Sequence, residues 1–201
     1  MSDKDRTNIE PRLDLTDQEG KTLRKPKDKE SFIDFLKELP VLIVIAFIIA
    51  LILRTFVFQT TLINQESMEP ALYPNDRTIV TKFAYWFSDP KPGDVIILVP
   101  PQINDGRDFV KRVVAIGGNL VQIKNGKLYV NGRPSKGDYK TMPGDHSSFG
   151  PYRIPKNDVF VLGDNRPVSQ DSRWFGPVPK KNIVGKVVLT FWPIDHLKLF
   201  I

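Results

Sequence analysis

The chain has 201 residues, a formal net charge of +6, two histidines and no cysteine. Thiol nucleophiles, disulfides and thiolate metal sites are therefore excluded, and the isolated His146 and His196 form no metal-binding motif. The basic residues are scattered without a recognition-helix pattern, which favours contact with anionic lipid headgroups over binding of nucleic acid. We find no motif for a metal, a nucleotide or another cofactor.

Residues 1–38 carry nine bases and ten acids and show almost no apolar periodicity. This composition is typical of a solvated, disordered segment. We predict a cytoplasmic tail that does not carry the chemistry of the protein.

Residues 39–58 form an apolar run that is interrupted only by Pro40, Arg54 and Thr55. At about 1.5 Å per residue, the run is roughly as long as the hydrocarbon core of a bilayer is thick. Its end lacks the small-residue exit of a cleavable signal peptide, so it predicts a retained transmembrane helix. A buried helix of a soluble domain is the alternative, but a chain of this size offers little protein to surround it. Bases are concentrated before the run, which predicts a cytoplasmic amino terminus.

Residues 59–201 are predicted to form one extracytoplasmic, mostly β domain, an antiparallel sandwich or open barrel. Short runs rich in Val, Ile and Phe predict strands at 77–82, 94–99, 109–116, 120–123, 127–130, 158–162 and 183–191. Turn signals separate these runs, and Asn125-Gly126 predicts the clearest hairpin. The cluster Phe83-Ala84-Tyr85-Trp86-Phe87 fits either a segment in the headgroup region or ordinary core packing.

The first candidate for chemistry is Ser67, in Gln65-Glu66-Ser67-Met68-Glu69-Pro70. Pro70 fixes a turn that can hold the hydroxyl in one direction. Serines in turns are common, so this segment alone is weak evidence.

The second candidate is Lys111, which interrupts the otherwise apolar strand predicted at 109–116. Strand alternation places either Lys111 or Arg112 among apolar neighbours. A buried lysine has a lowered pKa and can take a proton from a serine. The alternative is a lysine on an edge strand, where it blocks aggregation.

The third candidate is the polar stretch at residues 163–173, which directly follows the apolar strand predicted at 158–162. Its density of Asp, Asn, Ser and Arg is typical of a polar shell that closes on a site. The alternative is a plain loop with Asx turns and a surface ion pair between Asp171 and Arg173.

Four features follow one another along the chain: the apolar run, the Ser-Met-x-Pro box, the Lys-Arg-Val pair and the Gly-Asp-Asn-Arg box. In this combination and order, the chain resembles bacterial type I signal peptidases, which are membrane-anchored serine endopeptidases. The resemblance covers residues 32–201 approximately. It implies that Ser67 is the nucleophile and Lys111 its general base. It also implies that Ser169 orients the lysine, that Asp171 and Arg173 brace the site, and that Arg112 faces away from the serine.

The resemblance further implies an activity and a location. The enzyme would remove signal peptides from secretory preproteins after a small-x-small motif, as a monomer near the export translocon of the plasma (inner) membrane. A catalytically silent anchored domain that presents or scaffolds exported proteins is the alternative, although Ser67 and Lys111 are both present. A self-cleaving regulator of the repressor type would need a DNA-binding domain and a cleavable linker, and the amino-terminal tail shows neither.

Gln65 departs from the family pattern, which usually has Ser, Thr or Gly two residues before the nucleophile. In many members the hydroxyl at this position completes the oxyanion hole. A glutamine amide can donate a hydrogen bond there, but its longer side chain requires different positioning. Gln65 is therefore a candidate for supporting the site, with its amide as a candidate oxyanion donor.

Overall fold

The computed structural model describes residues 27–52, 58–103, 106–135, 137 and 140–200, with the backbone alone for residues 27–36 and 52. The chain divides into two compact units, residues 1–46 and residues 47–201. Residues 1–26 of the predicted tail and residues 53–57 of the predicted span lie outside the described residues.

Helix α1 spans Lys27–Ile52 and so begins before the expected Leu39. Its first residues include Lys, Glu and Leu, which favour helix, and this explains why the helix extends into the predicted tail. The apolar side chains between Leu39 and Leu51 are exposed, Val41 and Phe47 by 60% and 63%. By length and hydropathy, the structure describes no helix that would cross a bilayer.

The described part of the second unit contains twelve β-strands, and every pairing between them is antiparallel. The prediction of a mostly β, antiparallel domain is confirmed. The strands are β1 (Phe58–Leu62), β2 (Arg77–Thr81), β3 (Val95–Leu98), β4 (Phe109–Ile116), β5 (Leu120–Lys124), β6 (Lys127–Val130), β7 (Arg133–Pro134), β8 (Phe149–Arg153), β9 (Asp158–Leu162), β10 (Val178–Pro179), β11 (Ile183–Trp192) and β12 (Lys198–Leu199).

Eight strands form one sheet in the order β1-β2-β11-β3-β4-β9-β10, with β12 paired to β11, and the other four form a second sheet in the order β7-β6-β5-β8. Strand β4 is an interior strand, paired with β3 on one side and β9 on the other. The turn after β4 leads directly into β5, so this strand also connects the two sheets. The side chains of β4 from Phe109 to Ala115 are all buried, and that of Ile116 is partly exposed.

Buried side chains from both sheets form the core. One cluster joins β4 and β9 to β5, through Val114, Phe160, Leu162 and Ile123. Another joins Ile63, Met68 and Leu72, which flank the Ser67 turn, to Val80 and Ile97 of the large sheet. The Ser67 turn is thus fixed to the core by the apolar residues on either side of it.

The predicted hairpin is confirmed, because β5 pairs with β6 around Asn125 and Gly126. Both turn residues have positive φ, 46° and 73°, as a type I′ turn requires. Sequence reasoning missed five strands, β1, β7, β8, β10 and β12. Three of them have only two residues, β8 contains Gly150-Pro151, and β1 begins at Phe58, which was assigned to the end of the membrane span.

The aromatic cluster at residues 83–87 has two parts. Phe83 packs edge-on against Phe58, with ring centroids 6.3 Å apart. The hydroxyl of Tyr85 donates a hydrogen bond to Asp94 Oδ2 at 2.9 Å. Trp86 and Phe87 are 68% and 90% exposed. The first two aromatics therefore contribute to the fold, and the last two face solvent.

Candidate active site

Ser67 lies in a short 3₁₀ turn, Glu66–Met68. Its side chain is almost fully buried, while the neighbouring Met68 is completely so. The carbonyl oxygen of Met68 accepts hydrogen bonds from the backbone N–H groups of Ala71 and Leu72, at 2.8 and 3.0 Å. The turn is therefore rigid, and it presents one hydroxyl at the edge of the core.

The polar stretch after β9 holds this turn from the other side. The backbone N–H of Asn165 donates to the carbonyl oxygen of Ser67 at 3.0 Å, and its side-chain amide donates to that of Glu66 at 3.2 Å. Gly163 lies so close that an added Cβ would collide with the Ser67 carbonyl oxygen and with Ser169 Oγ. Glycine is required at this position because the two segments approach each other there.

Lys111 lies on β4 and is 1% exposed. Its Nζ donates a hydrogen bond to Ser67 Oγ at 2.7 Å and to the carbonyl oxygen of Val110 at 3.1 Å. The ring of Phe109 lies 5.1 Å from Nζ. The edge-strand alternative for Lys111 is excluded, because β4 is paired on both sides.

Burial lowers the pKa of Lys111 to about 8, and the charge of Asp171 opposes this shift. Desolvation is the larger cause because the ammonium loses its water shell and, among the described residues, gains no carboxylate in contact. At neutral pH a usable fraction of the amine is therefore unprotonated.

Gln65 lies immediately before the turn and also faces this pair. Its Oε1 is 3.5 Å from both Ser67 Oγ and Lys111 Nζ. Its Nε2 donates to the backbone carbonyl oxygen of Asp108 at 3.2 Å. The carboxamide thus presents its acceptor, not its donor, to the serine and the lysine.

Asp171 is completely buried and caps the short helix α2 (Ser172–Phe175), accepting from the backbone N–H of Arg173 at 3.2 Å. The Arg173 guanidinium donates to both carboxylate oxygens, at 2.8 and 2.9 Å. Asp171 also accepts from the backbone N–H of Gly163 at 3.1 Å. The ion pair is therefore a buried brace beneath the polar stretch, not the surface pair of the alternative interpretation.

Arg173 extends this brace to the segment before β8. It donates to Asp145 Oδ2 at 3.3 Å, to Ser147 Oγ at 2.9 Å and to the carbonyl oxygen of Arg166 at 2.7 Å. One guanidinium thereby joins the polar stretch to the segment before β8.

Ser169, which the resemblance implies orients the lysine, lies against Gly163. Its Oγ is buried, and among the described residues it has no hydrogen-bond partner. The structure thus brings Ser169 to the site without a bond to Lys111 Nζ.

Sequence reasoning assigned no role to the pairing of Arg112 with Asp164. Arg112 Nε and NH2 donate to the buried Asp164 carboxylate at 2.9 and 2.6 Å, and NH1 donates to the carbonyl oxygen of Gly93 at 2.7 Å. This bidentate pair ties β4 to the polar stretch right beside Lys111. The sequence held a signal for this pair: Lys111 and Arg112 are two bases within an apolar strand, and Asp164 follows the apolar strand β9.

A cleft of about 340 Å³ opens above Ser67 and Lys111. Phe109 and Val168 supply its apolar lining, and Gln65, Glu66 and Arg107 are among the polar residues at its wall. A second hollow of about 350 Å³ shares Asn64, Gln65 and Arg107 with it. Both Ser67 and Lys111 belong to the lining of the first of these hollows.

The arrangement has the parts that acyl transfer needs: a hydroxyl nucleophile, a base of suitable pKa in contact with it, and a cleft for the acyl group. Among the described residues, no three His, Asp or Glu side chains are grouped so that they could hold a metal ion.

Comparison with known proteins identifies relatives along most of the chain. A model of the family described as signal peptidase, peptidase S26, matches residues 36–192. The chain is 40% identical over 158 residues to signal peptidase I of Leptolyngbya laminosa, covering 75% of this chain and 76% of that protein. It is 38% identical over 168 residues to probable signal peptidase I-1 of Synechocystis sp., covering 81% and 85%. It is 35% identical over 185 residues to signal peptidase I P of Bacillus subtilis subsp. natto, covering 87% and 97%.

Replacing Lys111 by Met should stabilise the fold at pH 7. The pKa of Lys111 in the folded state, about 8, lies below the ordinary 10.5, so burying the charged amine lowers the free energy of unfolding by the full amount below pH 8. This cost decreases as the pH rises above 8 and is gone above about 10.5. We expect a gain of about 1–3 kcal/mol in the free energy of unfolding at pH 7, after loss of the hydrogen bonds, and a smaller gain at pH 10. Urea unfolding at both pH values measures it. A loss of stability at pH 7 would contradict the burial penalty.

Replacing Gly163 by Ala should displace the Ser67 turn. The added methyl group meets the Ser67 carbonyl oxygen and Ser169 Oγ, so we expect a loss of about 1–3 kcal/mol in stability. The crystal structure of the variant should show a longer distance between Ser67 Oγ and Lys111 Nζ. An unmoved turn and an unchanged melting temperature would show that the contact is not tight.

Proposed function

The chain belongs to the signal peptidase family, peptidase S26, and on that basis we propose that it removes amino-terminal signal peptides from exported preproteins with a Ser67–Lys111 dyad. The observation that carries the proposal is the 2.7 Å hydrogen bond between Lys111 Nζ and Ser67 Oγ inside the core. Histidine is not needed, because the lowered pKa of Lys111, about 8, lets its amine act as the base.

In the first half of the reaction, neutral Lys111 takes the proton of the Ser67 hydroxyl as Oγ attacks the scissile carbonyl carbon. The protonated lysine then gives that proton to the leaving amine, which becomes the amino terminus of the mature protein. The signal peptide stays bound to Ser67 as an ester.

In the second half, water enters the place of the leaving amine and gives a proton to Lys111 as it attacks the ester. The proton returns to Ser67 Oγ when the signal peptide leaves as a carboxylic acid. We propose the backbone N–H of Ser67 as a donor to the oxyanion, a contact typically worth about 3–4 kcal/mol.

Asp171 and Arg173 act in this proposal as braces, because their ion pair supports Gly163 from below, next to the Ser67 carbonyl oxygen. Ser169 acts by packing, because its buried hydroxyl lies against Gly163, next to the Ser67 carbonyl oxygen. Neither role requires contact with the substrate.

The substrate proposal is a signal peptide cut after a small-x-small motif. The cleft beside Ser67 is small, and Phe109 and Val168 give it apolar walls. Small side chains fill such a space, whereas large ones would need it to open.

We propose that residues 39–58 anchor the enzyme in the plasma (inner) membrane, with residues 59–201 outside the cytoplasm. The uncovered apolar side chains of α1 support this, since a soluble helix would hide them. The bases that precede the run support a cytoplasmic amino terminus. The anchor would keep Ser67 near the point where preproteins leave the translocon and the bilayer.

Replacing Ser67 by Ala, or Lys111 by Ala, should abolish cleavage of a preprotein by the detergent-solubilised enzyme. Loss of the nucleophile or of its base should lower kcat by at least ~10³-fold. The exposed residues Ser148 and Lys124 provide matched controls, and their Ala variants should cleave normally. Cleavage by both dyad variants at the native rate would overturn the assignment.

Alkaline carbonate extraction tests the anchor. In bacterial cells, the full chain should stay in the membrane pellet, and protease added to spheroplasts should digest residues 59–201. A variant with Asp at Ile45 and Ile48 should move to the supernatant, because two carboxylates within the span oppose insertion. Release of the unaltered chain by carbonate would contradict the anchor.

A further inference from the structure

We propose that the Gln65 carboxamide is a positioning group for the dyad: its Oε1 accepts hydrogen bonds from Lys111 Nζ and Ser67 Oγ, while its Nε2 is fixed on the Asp108 carbonyl oxygen. This differs from the expected role of Gln65 as an oxyanion donor. It rests on the proposed Ser67–Lys111 chemistry and names a further residue that directs it.

The orientation of the carboxamide follows from its neighbours on both sides. Oε1 faces an amine and a hydroxyl at 3.5 Å, and Nε2 faces a carbonyl oxygen at 3.2 Å. Rotating the amide by 180° would place Nε2 next to the ammonium and Oε1 next to the Asp108 carbonyl, so that both contacts become repulsive. The donor of Gln65 is therefore engaged away from the Ser67 hydroxyl.

The hydrogen bonds of Lys111 show what the acceptor does. A protonated lysine has three N–H donors, and its Nζ has three oxygen partners here, on Ser67, Val110 and Gln65. After deprotonation, two N–H groups remain. If Val110 and Gln65 hold these two, the lone pair of Nζ points at Ser67 Oγ, and the Ser67 proton turns from Gln65 Oε1 to Nζ, which is the direction that proton transfer needs.

In this structure, Ser169 does not take the role of orienting the Lys111 amine. The resemblance implies that Ser169 orients the lysine, yet among the described residues its Oγ has no hydrogen-bond partner. Gln65 Oε1 supplies a side-chain acceptor near Lys111 Nζ in its place. The long side chain at position 65 thus compensates for a serine that does not reach the amine.

Gln65 also connects the two halves of the dyad. It directly precedes the turn of Ser67, and Asp108 directly precedes β4, which carries Lys111. The bond from Nε2 to Asp108 therefore joins the segment of the nucleophile to the strand of the base.

An acceptor near Nζ stabilises the protonated lysine, so its removal has a predictable sign. Replacing Gln65 by Met keeps the length of the side chain but removes the acceptor, and the pKa of Lys111 should fall by about 0.5–1 unit. Replacing Gln65 by Glu keeps an acceptor and adds a negative charge, and the pKa should rise by about 1–3 units. The charged groups around the amine, Asp171 on the polar stretch with Glu66 and Arg107 at the cleft, stay unchanged in both variants.

The pH dependence of kcat/KM for preprotein cleavage by the full chain in detergent is the first readout. The native enzyme should gain activity as pH rises through about 8. In Gln65→Met this acid limb should move to lower pH, and kcat above the limb should fall at least ~10-fold with little change in KM, because the lone pair is no longer aimed. In Gln65→Glu the limb should move to higher pH. Gln122→Met, the same substitution on β5, is the control, and it should change neither the position of the acid limb nor kcat.

The second readout is NMR titration of Lys111 in protein labelled with ¹³C at the lysine Cε, with the resonance assigned by its absence in Lys111→Arg. The titration midpoint should follow the same order: Gln65→Met below native and Gln65→Glu above it. If Gln65→Met does not fold, Gln65→Asn withdraws the same acceptor by shortening the side chain and should lower the midpoint likewise.

The pH dependence of kcat/KM and the NMR midpoint together distinguish a failure of the Gln65 contact from a failure of the Ser67–Lys111 dyad. An equal loss of kcat/KM at every pH, with an unmoved limb and an unmoved NMR midpoint, would overturn the inference and return Gln65 to the role of oxyanion donor. A shifted midpoint in a protein whose Lys111→Ala variant still cleaves would support the contact and overturn the dyad.

Discussion

The removal of the Lys111 amine from water is the constraint on which the rest of the structure depends. A lysine in water is protonated at neutral pH and cannot accept a proton from a serine. Here the amine lies on an interior strand, between β3 and β9, and burial lowers its pKa to about 8. The burial of this strand is therefore part of the chemistry, since an exposed position would leave the same lysine hydrated.

Arg112, the next residue on β4, is buried together with a carboxylate partner. It is buried almost as well as Lys111, but a bidentate bond to Asp164 keeps it paired. Asp171, the acid whose charge acts on Lys111, is bound to Arg173 at both carboxylate oxygens. The fold thus gives Arg112 and Arg173 a carboxylate each, while among the described residues no carboxylate is in contact with the Lys111 amine. Because a guanidinium keeps its proton in proteins, the lysine is the cation of these three that can become a base.

Periodicity was sufficient to predict much of the sheet. Three strands, β4, β6 and β9, have the predicted boundaries because continuous apolar runs and turn residues define them. Strand β8 could not be found this way, since Gly150-Pro151 lacks a strand pattern. The burial of Lys111 was also undecided, because the residues of one strand do not reveal which strands flank it. The resemblance to a family indicated Ser67 and Lys111, but the direction of the Gln65 carboxamide depends on Asp108, which is distant in sequence.

The most direct test of the dyad is the rate at which an acylating peptide ester modifies Ser67, followed by mass spectrometry of the peptide that contains it, as a function of pH. The account predicts a single modification at Ser67, with a rate that rises about tenfold per pH unit below pH 8 and levels off above it. Modification of another residue, or a rate that does not change between pH 6 and 9, would contradict the claim that a buried lysine activates this serine.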